Sequence, residues 1–190
     1  MQRQKAQQQI DVKPLEPTLI RASLVYQKSA RQTPFRARPN KQLWPDELLL
    51  ATSQYAHHLV SANTILIPML NCEHTHYTYV SGWGFHKERL VGKTISLSDD
   101  FCGQVLQDLQ ILENPISDSR PCLSSRTCAA VLMAPLMHKS QLLGAILAIA
   151  PKETTQFSKE NALSLQNFAT EAGTVVGSTM RAFYGARSES

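Results

Sequence analysis

VLMAPLMHKSQLLGAILAIA, residues 131–150, consists of two apolar runs separated by a short polar break. Val131, Leu132, Met133, Leu136 and Met137 make the first run, His138 to Gln141 the break, and Leu142 to Ala150 the second, with Gly144 inside it. Apolar runs this short, with bulky and β-branched residues and a turn between them, suit inner strands better than helices. The stretch therefore predicts a buried β-hairpin.

Working outward, the chain after this hairpin predicts a helix. Ser158 is placed to cap it, and from Asn161 to Phe183 the residues Ala162, Ala169, Val176 and Phe183 recur every seventh position, interleaved with Leu165, Ala172 and Thr179. Small residues in this seam bury little area, so its first half is expected on the sheet and the rest toward a partner. Before the hairpin, SRPCLSSRTC has no periodicity and reads as a loop, the kind of segment that carries ligand contacts. ILENPISD is a brief strand, and DDFCGQVLQDLQ a short helix with Phe101, Val105, Leu106 and Leu109 on its apolar side. A further short strand is expected around Lys93 to Leu97. TILIPML (64–70), the polar connection NCEHTH and YTYVSGWGF (77–85) read as strand, turn, strand, and period-2 alternation puts Tyr77, Tyr79, Ser81 and Trp83 on one face. Pro45 fits the first turn of the first helix, with Asp46 and Glu47 complementing its positive end, and the helix carries Leu48, Leu49, Tyr55, Ala56, Leu59 and Val60 as an apolar stripe that ends near Asn63.

The totals fit one soluble domain with an arm. The chain has 190 residues, 43% hydrophobic and 18% charged. No apolar stretch approaches the roughly 20 residues of a membrane span, and the polar start is no signal peptide, so a cytoplasmic location is expected. Residues 1–45 carry nine Lys or Arg against Asp11 and Glu16, a local +7, which leaves −3 for the remainder of a chain whose net charge is +4. Residues 1–43 read as a basic, largely extended arm, 44–184 as the folded domain and 185–190 as a tail. The arm is expected to make at most weak contact with anionic lipid or nucleic acid.

With the elements in this order, the chain resembles the GAF domain family of small-molecule sensors. The matching pieces are LLLATSQYAHHLVSANTILIPML, YVSGWG, LVGKTISLSDDFCGQVLQDLQILENPISD and VLMAPLMHKSQLLGAILAIAPKETTQFSKENALSLQNFA, which together cover Trp44 to Phe183. The resemblance implies an α+β fold: an antiparallel sheet of five or six strands, terminal helices on one face, and a ligand pocket under loops and a small helix on the other. It also implies a homodimer through the terminal helices, with a signal passed to an output domain or partner; the chain reads as a fragment of a longer signalling protein or as a stand-alone sensor. The ligand, of unknown identity, is expected among Tyr79, Trp83, Phe101, Cys102, Val105, Ser117, Asp118, Arg120 and Arg126, with the two arginines as partners for an anion. No cofactor is implied.

Each candidate for chemistry has a plainer reading beside it. Cys102-Gly103 at a helix start suits a reactive thiol, and one branch of the family, the free methionine-(R)-sulfoxide reductases, carries Cys-Gly there. In that alternative Cys102, Cys122 and Cys128 are the catalytic thiols, yet no cysteine lies between Phe85 and Phe101, where the family pattern has one. Cys72, His74 and His76 alternate as metal ligands do, but a solvated turn explains the same letters, and no metal site is expected. His57 and His58 are consecutive on a helix, about 100° apart, and so cannot share a ligand. Neither Cys122 nor Cys128 precedes a histidine, which disfavours a bilin photoreceptor. The expected function is therefore a non-catalytic regulatory module, with the thiol reductase and a ligand-free dimerisation scaffold as alternatives.

Overall fold

The computed structural model describes residues 45–85, 87–98, 102, 103, 106, 112–114, 130–150 and 157–188. Its elements are α1 (Asp46–Val60), β1 (Thr64–Leu70), β2 (His76–Gly84), a 3-10 turn at Lys87–Arg89, β3 (Thr94–Ser96), β4 (Leu112–Asn114), β5 (Val131–His138), β6 (Gln141–Ile149) and α2 (Lys159–Ser188). Cys102, Gly103 and Leu106 are helical and stand between β3 and β4. The basic arm, residues 1–43, lies outside the described residues.

Six strands form one sheet in the order β3-β2-β1-β6-β5-β4, every neighbouring pair antiparallel. The hairpin of residues 131–150 supplies β5 and β6, joined through Lys139 and Ser140, with Lys139 at φ 56. β1, an inner strand between β2 and β6, is buried along its whole length. Its odd residues Ile65, Ile67 and Met69 join Leu132, Leu136 and Ile146 in a core beneath Leu48, Leu49, Leu165 and Phe168 of the two helices. Its even residues Leu66 and Leu70 face the other way, into a second core with Tyr77, Tyr79, Met133, Leu147, Cys102 and Leu106. Each fully buried large side chain contributes about 1.5–3 kcal/mol, so two cores on opposite faces explain why these strands read as continuous apolar runs.

Both helices begin as their sequences dictate. Pro45 stands at the N-cap of α1, with Asp46 and Glu47 in the first turn, and the helix ends where Ser61 turns left-handed at φ 50. The Ser158 hydroxyl accepts the Asn161 N–H at 3.1 Å while the Asn161 side-chain oxygen accepts the Ser158 N–H at 3.2 Å, a reciprocal cap at the start of α2. The seam of α2 is buried at Ala162, Leu165, Ala169, Ala172, Val176 and Thr179, so sheet packing extends well beyond the first half of the helix. Tyr55 of α1 and Phe168 of α2 meet with ring centroids 4.9 Å apart, fixing the helices side by side.

Two bulges depart from simple alternation. Between Ile67 and Pro68 the β1–β2 register slips, with Ile67 opposite Ser81 and Pro68 opposite Tyr79. Proline has no N–H to give a ladder, so a proline in an inner strand goes with a break in pairing. A second slip lies between Leu136 and Met137, leaving Leu143 of β6 unpaired beside Gly144. Gly144 permits the close approach of β1 there: a Cβ on it would overlap the Pro68 carbonyl oxygen and stand 2.9 Å from the Met69 Cα.

Candidate ligand-binding site

The β2 bulge decides which predicted residues can meet. Cross-strand partners share a face, so Tyr77 opposite Leu70 and Tyr79 opposite Pro68 lie on the face away from the helices. Beyond the slip, Ser81 pairs with Ile67 and Trp83 with Ile65, both helix-facing residues. Trp83 is therefore on the opposite face from Tyr79, and the expectation that the two line one pocket is corrected. Trp83 is half-buried, with the Lys87 Nζ 4.8 Å from its ring centroid. An extra residue in one strand moves every later side chain to the other face.

Tyr79 and Cys102 do come together on the face away from the helices, the distal face. The Tyr79 hydroxyl donates to the Cys102 Sγ at 3.9 Å, and the Tyr77 and Tyr79 hydroxyls lie 3.3 Å apart, with their rings edge to face at 5.2 Å. Both tyrosines are fully buried, and Cys102 is 2% exposed. Gly103 explains how the short helix reaches this position, because a Cβ there would overlap the Leu97 carbonyl oxygen and stand 2.7 Å from the Leu97 Cα. The Cys-Gly pair thus sets Cys102 and Leu106 directly onto the sheet. Phe101, Val105, Ser117, Asp118, Arg120, Cys122, Arg126 and Cys128 lie outside the described residues.

A cavity of about 420 Å³ opens beside this cluster, at the end of the sheet where the β1–β2 and β5–β6 connections turn. Leu70, Leu97, Leu106 and Leu142 supply apolar walls, and His74, Ser140 and Gln141 bring polar groups to its rim. The volume falls within the range of small-molecule sites, roughly 300–1,000 Å³, and mostly apolar walls with a few polar groups are their usual lining. Sequence reasoning did not single out these seven residues as a site. Antiparallel β1 and β6 place the C-terminal end of one beside the N-terminal end of the other, so the order of elements already puts NCEHTH and HKSQ together.

The β1–β2 connection is held by its own hydrogen bonds. The Asn71 side-chain oxygen accepts the backbone N–H groups of Thr75 and His76 at 2.9 and 3.0 Å, and His74 sits at φ 53 on the cavity rim. Cys72, His74 and His76 are exposed, and among the described residues no group of three His, Cys, Asp or Glu side chains is placed to hold a metal ion. His57 and His58 meet edge-on at 5.5 Å, with His58 exposed. Burial, reinforced by His58, holds His57 below the ordinary histidine value, against a raising contribution from the Asn63 backbone. Among the described residues no helix is long and apolar enough to cross a membrane.

No family model matches the sequence, and no curated protein matches it. Solved structures do match the fold. The GAF-B domain of DevS from Mycobacterium smegmatis superposes with a TM-score of 0.59 at 18% identity, covering 74% of this chain and 96% of its own. The GAF domain of an Acinetobacter phosphoenolpyruvate-protein phosphotransferase gives 0.62 at 14% identity, over 88% of this chain and 97% of its own. A free methionine-R-sulfoxide reductase from Neisseria meningitidis, solved with its substrate, gives 0.62 at 14% identity, over 87% and 89%. The chain has a GAF-like α+β fold.

Proposed function

We propose that this chain is a sensory or regulatory module of the GAF type, which binds a small organic ligand in the distal-face cavity and passes its occupancy to an output domain or partner protein. The observation that carries the reading is the cavity of about 420 Å³ between the two hairpin turns and the short helix. Four leucines suit an apolar body, and His74, Ser140 and Gln141 at the rim suit one or two hydrogen-bonding groups on the ligand. Structural similarity to the GAF domains of DevS and a phosphoenolpyruvate-protein phosphotransferase, and to part of a methyl-accepting chemotaxis protein, supports the same reading. In this reading the module is a cytoplasmic homodimer that pairs through α1 and α2, on which Leu50 and Leu163 are 39% and 58% exposed. Arg120 and Arg126 remain proposed partners for an anionic group on the ligand.

Native mass spectrometry of the whole chain from gentle lysis tests this. The expected result is a dimer carrying a small retained mass that is released on mild activation. A chain with no retained mass, whose melting temperature is also unmoved by a panel of small metabolites, would contradict ligand binding and favour the scaffold reading.

One observation favours a second reading. Cys102, itself helical, packs on the distal face of the sheet, and sulfoxide reductases are among the structures with this fold. Reduction of free methionine-(R)-sulfoxide by the intact chain, abolished by Cys102→Ser, would establish that alternative. Absence of turnover in the intact chain ends it.

A further inference from the structure

We infer that the tip of the β5–β6 hairpin transmits the state of the distal cavity to α2, with His138 lying against Gly177 as the contact that carries it. This rests on the cavity being a ligand site.

The two sides of the tip face different things. On one side Ser140, Gln141 and Leu142 line the cavity. On the other, α2 comes down onto the end of β5 at two glycines one helical turn apart. A Cβ on Gly173 would stand 2.6 Å from the Met137 backbone nitrogen, and a Cβ on Gly177 would overlap the His138 side chain, 2.7 Å from its Nδ1. Glycine at both positions is therefore what lets the helix touch the strand end. The register completes the path, because Gln141 pairs with His138 and Leu142 with Met137. Gln141 and Leu142 are thus each one cross-strand step from a residue that α2 touches.

The tip also has the makings of two arrangements. His138 is 6% exposed, and its Nδ1 is buried with no hydrogen-bond partner among the described residues. A buried ring nitrogen without a partner leaves hydrogen-bonding capacity unused, so a shift of tip against helix that admits water or a carbonyl is compensated there. The β-bulge at Leu143 and the positive φ of 56° at Lys139 bracket the two ladder pairs of the tip, which separates them from the regular ladder of the rest of the hairpin. Coupling between sites needs an element with two arrangements that both sites bias, and this tip touches both.

The ligand is unidentified, so the test uses Leu106→Trp, which enlarges a side chain that lines the cavity and does not itself belong to the hairpin. Hydrogen exchange is followed in α2 of the full chain, residues 173–180 against residues 162–170. The expected result is a change of roughly fivefold or more in exchange of 173–180, the lower end of ordinary coupling between sites, with 162–170 unmoved. The change should collapse when His138→Ala is added. No change in 173–180, or a change that survives His138→Ala undiminished, overturns the inference. Where Leu106→Trp fails to give a cooperative melt, Leu70→Phe serves with the same outcomes. Retention of a small mass by the unaltered chain is read separately, so a failed ligand reading is distinguishable from a failed coupling. A mass lost in Leu106→Trp without any response in α2 keeps the site and sinks the transmission.

Discussion

Gly144→Ala isolates the steric demand that the sheet makes at its centre. The substitution adds one methyl group to a residue between β1 and the β6 bulge, where a Cβ would overlap the Pro68 carbonyl oxygen and stand 2.9 Å from the Met69 Cα and Sδ. Two of these obstacles are backbone atoms of an inner strand and cannot swing aside as a flexible side chain does. Overpacking of cores costs about 1–3 kcal/mol, and backbone obstacles place this case at the upper end, about 3 kcal/mol. At ~2–4 °C per kcal/mol for a chain of this length, the melting temperature should fall by roughly 6–12 °C. The control is Gly92→Ala, where φ is +94° and no atom of the described residues lies within 4 Å of the added Cβ. Only backbone strain acts there, so the cost should be about 1 kcal/mol. Urea unfolding followed by tryptophan fluorescence compares the two. If Gly144→Ala costs no more than Gly92→Ala, the close approach of β1 and β6 is not the constraint described above.

Three further outcomes follow from separate parts of the structure. Ser158→Ala removes the hydroxyl that accepts the Asn161 N–H, one half of the reciprocal cap, and should destabilise by about 1 kcal/mol, read from the urea midpoint. His57 has a folded-state pKa below its unfolded value, so the unfolded chain takes up its proton first as pH falls, and stability drops from about pH 7.5 downward through the ordinary histidine value of 6.5. His57→Gln should flatten that part of the profile, and an unchanged slope would count against the burial of this ring. In thiol labelling with peptide mapping, exposed Cys72 should react rapidly and buried Cys102 only at the rate of local opening; equal rates would contradict the packing of the short helix onto the sheet.

Much of the fold was legible in the chain because its signals are local and agree. The apolar pair at 131–150, the turn between them, the Ser158 cap and the α2 seam each point to one element. The face assignment of Trp83 was not legible from alternation, since period-2 counting assumes an unbroken strand. The clue was Pro68, whose missing N–H favours a slip in the pairing of an inner strand. The site shifted for a related reason. Tyr79 and Cys102 satisfy one another and pack tightly, so the open volume lies at the sheet end beside Leu70 and Leu142, where two turns leave room. Turn residues look like solvated connections in a sequence, and only the antiparallel order of β1 and β6 brings them to a common rim.

The central claim is that the distal face near the hairpin tips receives a small molecule. Leucine-methyl NMR of the whole chain, titrated with a low-molecular-mass cell extract, tests it most directly. The account predicts shifts concentrated at Leu70, Leu97, Leu106 and Leu142, with Leu48, Leu132 and Leu165 on the helix side unmoved. Shifts centred on the helix-side leucines, or no shifts at any extract concentration, would contradict it.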